Sequence, residues 1–320
     1  MFRKTWRAAI RKQTVTKGTV DAVYVVNCKN PRNKSNIKRM IRMKNKALLI
    51  LFFVIVFACI GCANATAPVA NNDESDTYFI NSVNHRGWCD APENTLVAYR
   101  ESAQNGFNMV ECDVSFTKDN VPVLLHDKTI DRTSNGQGLI SELMWSEVCT
   151  YDFGSWKSEK YAGEKIPKFE EFISLCRNLS LHPYIEIKSQ TKVENIKILV
   201  DTVVQYGMMD RVTWIAWNVK LLSEVCRLYP KSRIGYIVTE LSSDAIESAC
   251  SLQTETNSVF IDCSYSAVNS DGIESCIEKS IPLEVWTVND IDTILNLDPY
   301  ISGVTSDKYI AGEIIKSSPI

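Results

Sequence analysis

The side chains of this sequence best suited to chemistry fall in short clusters. His85-Arg86-Gly87 is followed by Pro92-Glu93-Asn94-Thr95, then come Glu111-Cys112-Asp113, His126-Asp127 and Glu186-Ile187-Lys188. Near the end stand Trp286-Thr287-Val288-Asn289 and Thr305-Ser306-Asp307. In an extended strand the side chains alternate, so Glu111 and Asp113 share one face and Cys112 takes the other; Glu186 and Lys188 likewise share a face. Glu111, Asp113 and Glu186, converging from neighbouring strands, would repel one another unless a cation sat between them. An all-oxygen ligand set favours Mg2+ or Ca2+ over zinc. The sequence holds only three histidines. His85 and His126 fall at the same strand ends as the carboxylates and suit a general acid/base pair. His182 lies four residues before Glu186, about 13 Å away along a strand, so its expected role is structural.

These clusters need a scaffold that brings distant strand ends together. Beyond a polar linker at 66–77, short apolar runs alternate with amphipathic stretches, the pattern of repeated βα units in a parallel sheet. Strands are expected near 81–85, 107–114, 121–126, 184–188, 212–217, 233–238, 258–262, 282–288 and 301–305. The gap between Val114 and Val121 is too short for a parallel crossover, which takes a dozen or more residues. Residues 121–126 are therefore expected to return antiparallel as a hairpin. Eight strands remain, and about 255 residues follow the N-terminal segment, close to the roughly 250 of a (β/α)8 barrel. The expected fold is thus an α/β (β/α)8 barrel with an insertion after the hairpin, at about 127–168; an open doubly wound sheet is the alternative. Residues 192–206 carry Val193, Ile196, Val200 and Val203 at helical spacing, and residues 219–229 carry Leu221, Leu222, Val225 and Leu228.

The clusters, taken in order, resemble the glycerophosphodiester phosphodiesterase family. The likeness runs from His85-Arg86-Gly87 through Pro92-Glu93-Asn94-Thr95, Glu111-x-Asp113 and the Pro122 to Asp127 hairpin. It continues through Asp131-Arg132-Thr133, Asn135-Gly136-x-Gly138, Ile166-Pro167, Glu186-x-Lys188 and Trp286-Thr287-Val288-Asn289. The resemblance implies a (β/α)8 barrel with a small insertion, and a divalent cation, Ca2+ or Mg2+, on Glu111, Asp113 and Glu186. It implies that His85 and His126 are the acid/base pair, with the glycerol 2-hydroxyl attacking phosphorus to give a cyclic phosphate that water opens. The substrate implied is a small glycerophosphodiester, and the products are an alcohol and sn-glycerol 3-phosphate.

Within that chemistry Arg86 and Lys188 supply positive charge for the phosphoryl oxygens, with an ion pair to Glu93 or Glu111 as the other role open to Lys188. Glu93 is either an accessory ligand for metal or substrate, or a favourable charge at the start of a helix opened by Asn94-Thr95. Trp286 either walls the substrate pocket or belongs to the core. The chain departs from the family's usual pattern after the last strand, where it reads Thr305-Ser306-Asp307-Lys308-Tyr309, and at the bulky Trp88 and Cys89. Both departures bear on which alcohol is released. Two other functions are open to such a barrel: a phospholipase-like enzyme acting on a lipid phosphodiester, and a non-catalytic envelope protein that binds phosphodiesters.

Charge excludes one class of partner. Residues 1–46 hold 14 Lys and Arg against Asp21 alone, leaving 21 basic and 37 acidic residues beyond them. So acidic a remainder has no broad basic face for nucleic acid. The basic residues 1–39 are expected to be a leader outside any folded domain, with translation starting at Met40 or Met43. Residues 40–67 follow the order of an export signal: a basic stretch, the apolar run Ala47 to Ile60, then small residues. Ala63-Asn64-Ala65 offers a cleavage site and Gly61-Cys62 resembles the end of a lipobox, so membrane attachment through an uncleaved apolar run or a lipidated Cys62 is also open. The expected location is the periplasm, the exterior, or a lipid anchor at the envelope. The mature segment 68–320 keeps eight widely spaced cysteines, in no arrangement that suits zinc or a redox pair.

Overall fold

A computed structural model describes residues 77–308 and 314–317. The basic leader, the export signal with Cys62, and Tyr309 lie outside the described residues. The strands are β1 (Thr77–Asn84), β2 (Met109–Phe116), β3 (Pro122–Leu124), β4 (His182–Ile187), β5 (Thr213–Ala216), β6 (Arg233–Val238), β7 (Ser258–Ser264), β8 (Leu283–Trp286), β9 (Ile301–Ser306) and β10 (Ile314–Ser317). β2, β4, β5, β6, β7, β8 and β9 pair in parallel in that order, and β9 pairs with β1. The ring closes where β1 meets β2, Val83 opposite Met109 and Asn84 opposite Val110. Closure excludes the open sheet and leaves eight parallel strands with no free edge in the barrel.

The ninth expected strand behaves as the short gap requires: β3 runs antiparallel to β2, with Val114 opposite Leu124. The chain then makes its excursion, which includes the one-turn helix α2 (Trp145–Val148). This excursion has a small core of its own, built from Val123, Leu125, Ile130, Ile140, Val148, Phe153 and Ile166. β10, antiparallel to β1, was not expected from the sequence, since four residues near the chain end carry too little alternation to mark a strand.

Helices cover the barrel because each is apolar along one stripe. α1 (Leu96–Gln104) starts at Thr95, whose hydroxyl accepts from Ala98 N. α3 (Phe169–Leu179) buries Phe169, Phe172, Ile173 and Cys176, at spacings of three and four. In α4 (Ile196–Gln205) the buried stripe is Ile196, Leu199, Val200 and Val203. Val193, expected on that stripe, instead lies in a preceding 3-10 turn and is exposed. α5 (Val219–Leu228) buries Leu221, Leu222 and Val225, with Leu228 packed at the edge. α6 (Ser243–Ser251), α7 (Ser270–Lys279) and α8 (Ile291–Leu295) are capped by Ser242, Asn269 and Asp290. Among the described residues no helix is long and apolar enough to cross a membrane, and all eight cysteines are free.

The barrel interior is filled by Val83, Tyr184, Ile215, Ile237 and Phe260. Its N-terminal end is plugged by Arg233, the first residue of β6. The guanidinium donates to Glu284 (2.6 Å), the Tyr184 hydroxyl (3.0 Å) and Thr213 (2.9 Å), and lies 4.2 Å from the Phe260 ring centroid. The buried Glu284 carboxylate needs such a partner. With this end closed, the polar chemistry gathers at the other end.

Candidate active site

β2 and β4 set the centre of the site. Their register places Asp113 directly opposite Glu186, and Glu111 sits two residues before Asp113 on the same face, while Cys112 turns outward into the core between barrel and helices. One oxygen from each of Glu111, Asp113 and Glu186 lies within 4.8 Å of the others. Glu111 Oε2 accepts from Arg86 N at 3.0 Å, but its Oε1 is buried with no hydrogen-bond partner. A buried carboxylate oxygen without a partner is costly. The orphaned oxygen, the close spacing and the all-oxygen chemistry fit a hard divalent cation.

Electrostatics in the cluster are divided. Burial, with Asp113 and Glu186 adding repulsion, pushes the Glu111 carboxyl well above the usual range. Burial and Asp113 also raise Glu186, against the pull of Lys188. Burial acts the same way on Asp113, but Lys188 and Arg86 overcome it and hold its carboxyl below the ordinary value. Lys188 Nζ sits 3.1 Å from Asp113 Oδ1 and 2.7 Å from Glu186 Oε1; neither Glu93 nor Glu111 is its partner. Burial disfavours the charge of Lys188, yet Asp113 and Glu186 raise its pKa on balance.

The turn after β1 delivers two more groups. Arg86 adopts φ 55° and Gly87 φ 89°, and a Cβ on Gly87 would lie 2.7 Å from that of Ala98, so the packing of α1 admits only glycine there. Arg86 Nη1 donates to Glu93 Oε1 at 3.1 Å, and Nε is 3.2 Å from Asp113 Oδ2. Asn94 orients Asp113 from the other side. Its amide donates to Asp113 Oδ2 (2.8 Å), and its carbonyl accepts from Asp113 N (3.1 Å) and the Tyr99 hydroxyl (2.9 Å).

His85 and His126 have matching surroundings. His85 Nδ1 lies 2.5 Å from Asp307 Oδ1, and His126 Nδ1 lies 2.7 Å from Asp127 Oδ1. Asp307 is steadied by Asn289, whose amide donates to Oδ2 and whose carbonyl accepts from Asp307 N, both at 2.8 Å. Asp127 is steadied by Arg132, Nε to Oδ2 at 2.6 Å, and Arg132 reaches on to both oxygens of Glu93 at 2.7 and 2.8 Å. The hydrogen bond from His85 holds Asp307 down at about 2, and that from Arg132 holds Asp127 down at about 2. Burial works to raise Glu93, but Arg132 and Arg86 keep it below the usual range. With each Nδ1 engaged by a carboxylate, the exchangeable position on both rings is Nε2; on His85 it faces Glu111 Oε2 at 3.9 Å.

Of the residues marked in the sequence, His85, Arg86, Glu93, Glu111, Asp113, Glu186 and Lys188 meet in one network. His126 joins it through Asp127, Arg132 and Glu93. Glu93 serves two arginines and lies outside the three-carboxylate cluster. Trp286, the last residue of β8, packs against the barrel-interior residues, edge-on to Trp217 (5.6 Å between centroids) with Nε1 donating to Asp262 O. His182 opens β4 at the opposite end, as its distance from Glu186 predicts. The partners that sequence reasoning left without a role are Asp307, Asn289, Asp127 and Arg132, and Asn94 was given only the start of a helix. Asp127 carried a signal, its adjacency to His126; Asp307 stands in a candidate cluster, but nothing in the sequence ties it to His85, 222 residues away. A cavity of about 220 Å³ opens beside His85 and Arg86, bounded by Trp88, Cys89, Trp156 and Asp307. Both departures from the family pattern therefore line one pocket.

The comparisons with known proteins agree with this geometry. The model of the glycerophosphoryl diester phosphodiesterase family matches residues 85–310. The glycerophosphodiester phosphodiesterase of Caldanaerobacter subterraneus is 30% identical over 210 residues, which are 64% of this chain and 84% of that protein. Human glycerophosphodiester phosphodiesterase 1 is 34% identical over 145 residues, 44% of this chain and 42% of the human protein, so the chain spans less than half of that relative. An Oleispira antarctica phosphodiesterase, solved in complex with the product sn-glycerol-3-phosphate, superposes with a TM-score of 0.66 at 27% identity, covering 72% of this chain and 93% of that one. A Silicibacter pomeroyi structure, at 18% identity and a TM-score of 0.63, shares the fold. A family match that begins at His85, just after β1, and runs through the other seven barrel strands, with solved relatives of the same architecture, makes this chain a member of the glycerophosphoryl diester phosphodiesterase family, and so a phosphodiester hydrolase.

Proposed function

We propose that the protein is an exported, metal-dependent enzyme that hydrolyses small glycerophosphodiesters to an alcohol and sn-glycerol 3-phosphate, with His85 and His126 as general acid and base. The observation that carries this reading is the pairing of two imidazoles, each braced on Nδ1 by an aspartate, with a buried three-carboxylate cluster whose Glu111 Oε1 has no partner. Glu111, Asp113 and Glu186 would hold Ca2+ or Mg2+, which when bound neutralises charge developing on the phosphoryl oxygens.

The chain's own residues divide the remaining work. Asp307 and Asp127 stay ionised at neutral pH and keep the Nδ1 protons of both histidines, so proton exchange runs through Nε2. One Nε2 takes the proton of the attacking hydroxyl, and the other gives a proton to the departing alkoxide. Arg86 and Lys188 bring fixed positive charge to the phosphoryl group. Burial opposes the charge of both, but the carboxylates beside them more than compensate. Glu93 ties Arg86 to Arg132, and so couples the phosphate end of the site to the His126 end.

Export rests on the basic, apolar and small-residue order of residues 40–67. Cell fractionation tests it, since activity confined to the cytoplasm would refute it. The reaction is tested by incubating the protein with glycerophosphocholine and measuring glycerol 3-phosphate with Ca2+, with Mg2+ and with EDTA. Release with either cation and none with EDTA is the expected result; equal release in EDTA would remove the metal from the mechanism.

A further inference from the structure

A second cavity, of about 290 Å³, lies on the same end of the barrel as the site. Its walls come from the turn after β2, the excursion, and the loop between β4 and α4. Lys118, Lys128 and Lys192 line it, with no carboxylate among the lining residues. That is unusual in a chain whose acidic residues outnumber its basic ones beyond residue 46. Among the described residues none of the three lysines is ion-paired. Thr191, also in the lining, is buried and its hydroxyl has no hydrogen-bond partner.

Three unpaired cations and a buried unpartnered hydroxyl answer one kind of ligand, an oxyanion with several acceptor oxygens. The cavity is also close to the chemistry. Lys128 is two residues from His126, and Thr191 N donates to Lys188 O at 2.9 Å. We infer that this cavity is a second phosphate site, filled by free phosphate or by a phosphate that the substrate carries one unit beyond the bond cleaved. The substrate-borne case rests on the function proposed above; the phosphate site itself does not.

The test uses Lys118→Gln/Lys192→Gln, two exposed positions outside the catalytic network. Kinetics are compared on glycerophosphocholine, with one phosphate, and on glycerophosphoglycerol phosphate, with two. In parallel, inorganic phosphate is titrated calorimetrically into the Arg86→Ala protein with and without the two lysine changes. Loss of a charge-assisted hydrogen bond predicts about tenfold weaker phosphate binding. A matching rise of about tenfold in KM for the two-phosphate substrate alone assigns the site to substrate. Weaker phosphate binding with both KM values unchanged assigns it to free phosphate. Phosphate binding unaltered by the lysine changes overturns the inference. Weakened binding in a protein that cleaves neither substrate would keep the site and refute the proposed reaction.

Discussion

His85 Nδ1 and Asp307 Oδ1 lie 2.5 Å apart, although 222 residues separate them in the chain. The contact follows from barrel closure. β1 and β9 pair in parallel with Asn84 opposite Ser306, and His85 N donates to Ser306 O at 2.9 Å. The next residue of each strand therefore emerges at the same point on the rim. Asn289 then fixes the carboxylate from the loop after β8. The first and last barrel strands thus build one half of the proposed acid/base pair, and the β2–β3 hairpin and its excursion build the other.

Replacing Asp307 with Asn keeps the shape but removes the charge that holds the His85 tautomer. The expected loss in kcat is roughly ten- to a hundredfold, smaller than the 10²–10⁴-fold typical of losing a general acid or base outright in His85→Ala or His126→Ala. KM should move little. Steady-state kinetics on glycerophosphocholine measures this, and an unchanged kcat in Asp307→Asn would detach the aspartate from catalysis.

Cation binding should be visible without turnover. A ligand that binds only the folded state adds about 2.7 kcal/mol at a hundredfold excess over its Kd. Ca2+ or Mg2+ should therefore raise the Tm of the wild-type protein. Glu111→Gln, which removes a ligand charge, should abolish most of that rise. An equal rise in both proteins would place the cation elsewhere.

Tyr99→Phe deletes the hydroxyl that donates to Asn94 Oδ1 inside the core. Asn94 in turn holds Asp113 through two hydrogen bonds. Stability should fall by about 1 kcal/mol, read from urea unfolding, and cation affinity should weaken with it. A stability loss with cation affinity intact would show that Asp113 keeps its place without the Tyr99–Asn94 link.

Acid should act through the same aspartates. His85 pulls Asp307 down to about 2 and Arg132 pulls Asp127 down to about 2, against about 3.9 in an unfolded chain. A carboxyl with a depressed folded pKa stabilises the fold fully above the unfolded value and loses that contribution as pH falls through the folded one. Tm should decline from about pH 4 toward about pH 2, and less steeply in the Asp307→Asn/Asp127→Asn double variant. Solvent screening of these half-exposed groups keeps the effect small. Identical pH profiles would mean that the two ion pairs give no stability.

The alternation of Glu111, Cys112 and Asp113 was legible because a strand's period of two is local: it sent Cys112 to the core and both carboxylates inward before any strand was paired. The hairpin was legible for a similar reason, since six residues between Val114 and Val121 cannot carry a parallel crossover. The position of His182 followed from strand rise alone. Helix stripes were read almost correctly, with Val193 misplaced because a 3-10 turn shifts the phase before α4 begins.

Tertiary structure alone decided who pairs with whom. Nothing near Arg132 indicates that it bridges Asp127 and Glu93, nothing near Lys188 indicates Asp113 rather than Glu93 or Glu111, and nothing near His85 indicates Asp307. Each of these contacts depends on which strands lie side by side and in what register, and on the closure of β1 against β2. Periodicity reports which face a residue occupies. Inter-strand hydrogen bonding, made between residues tens to more than two hundred positions apart, determines the neighbours that face will meet.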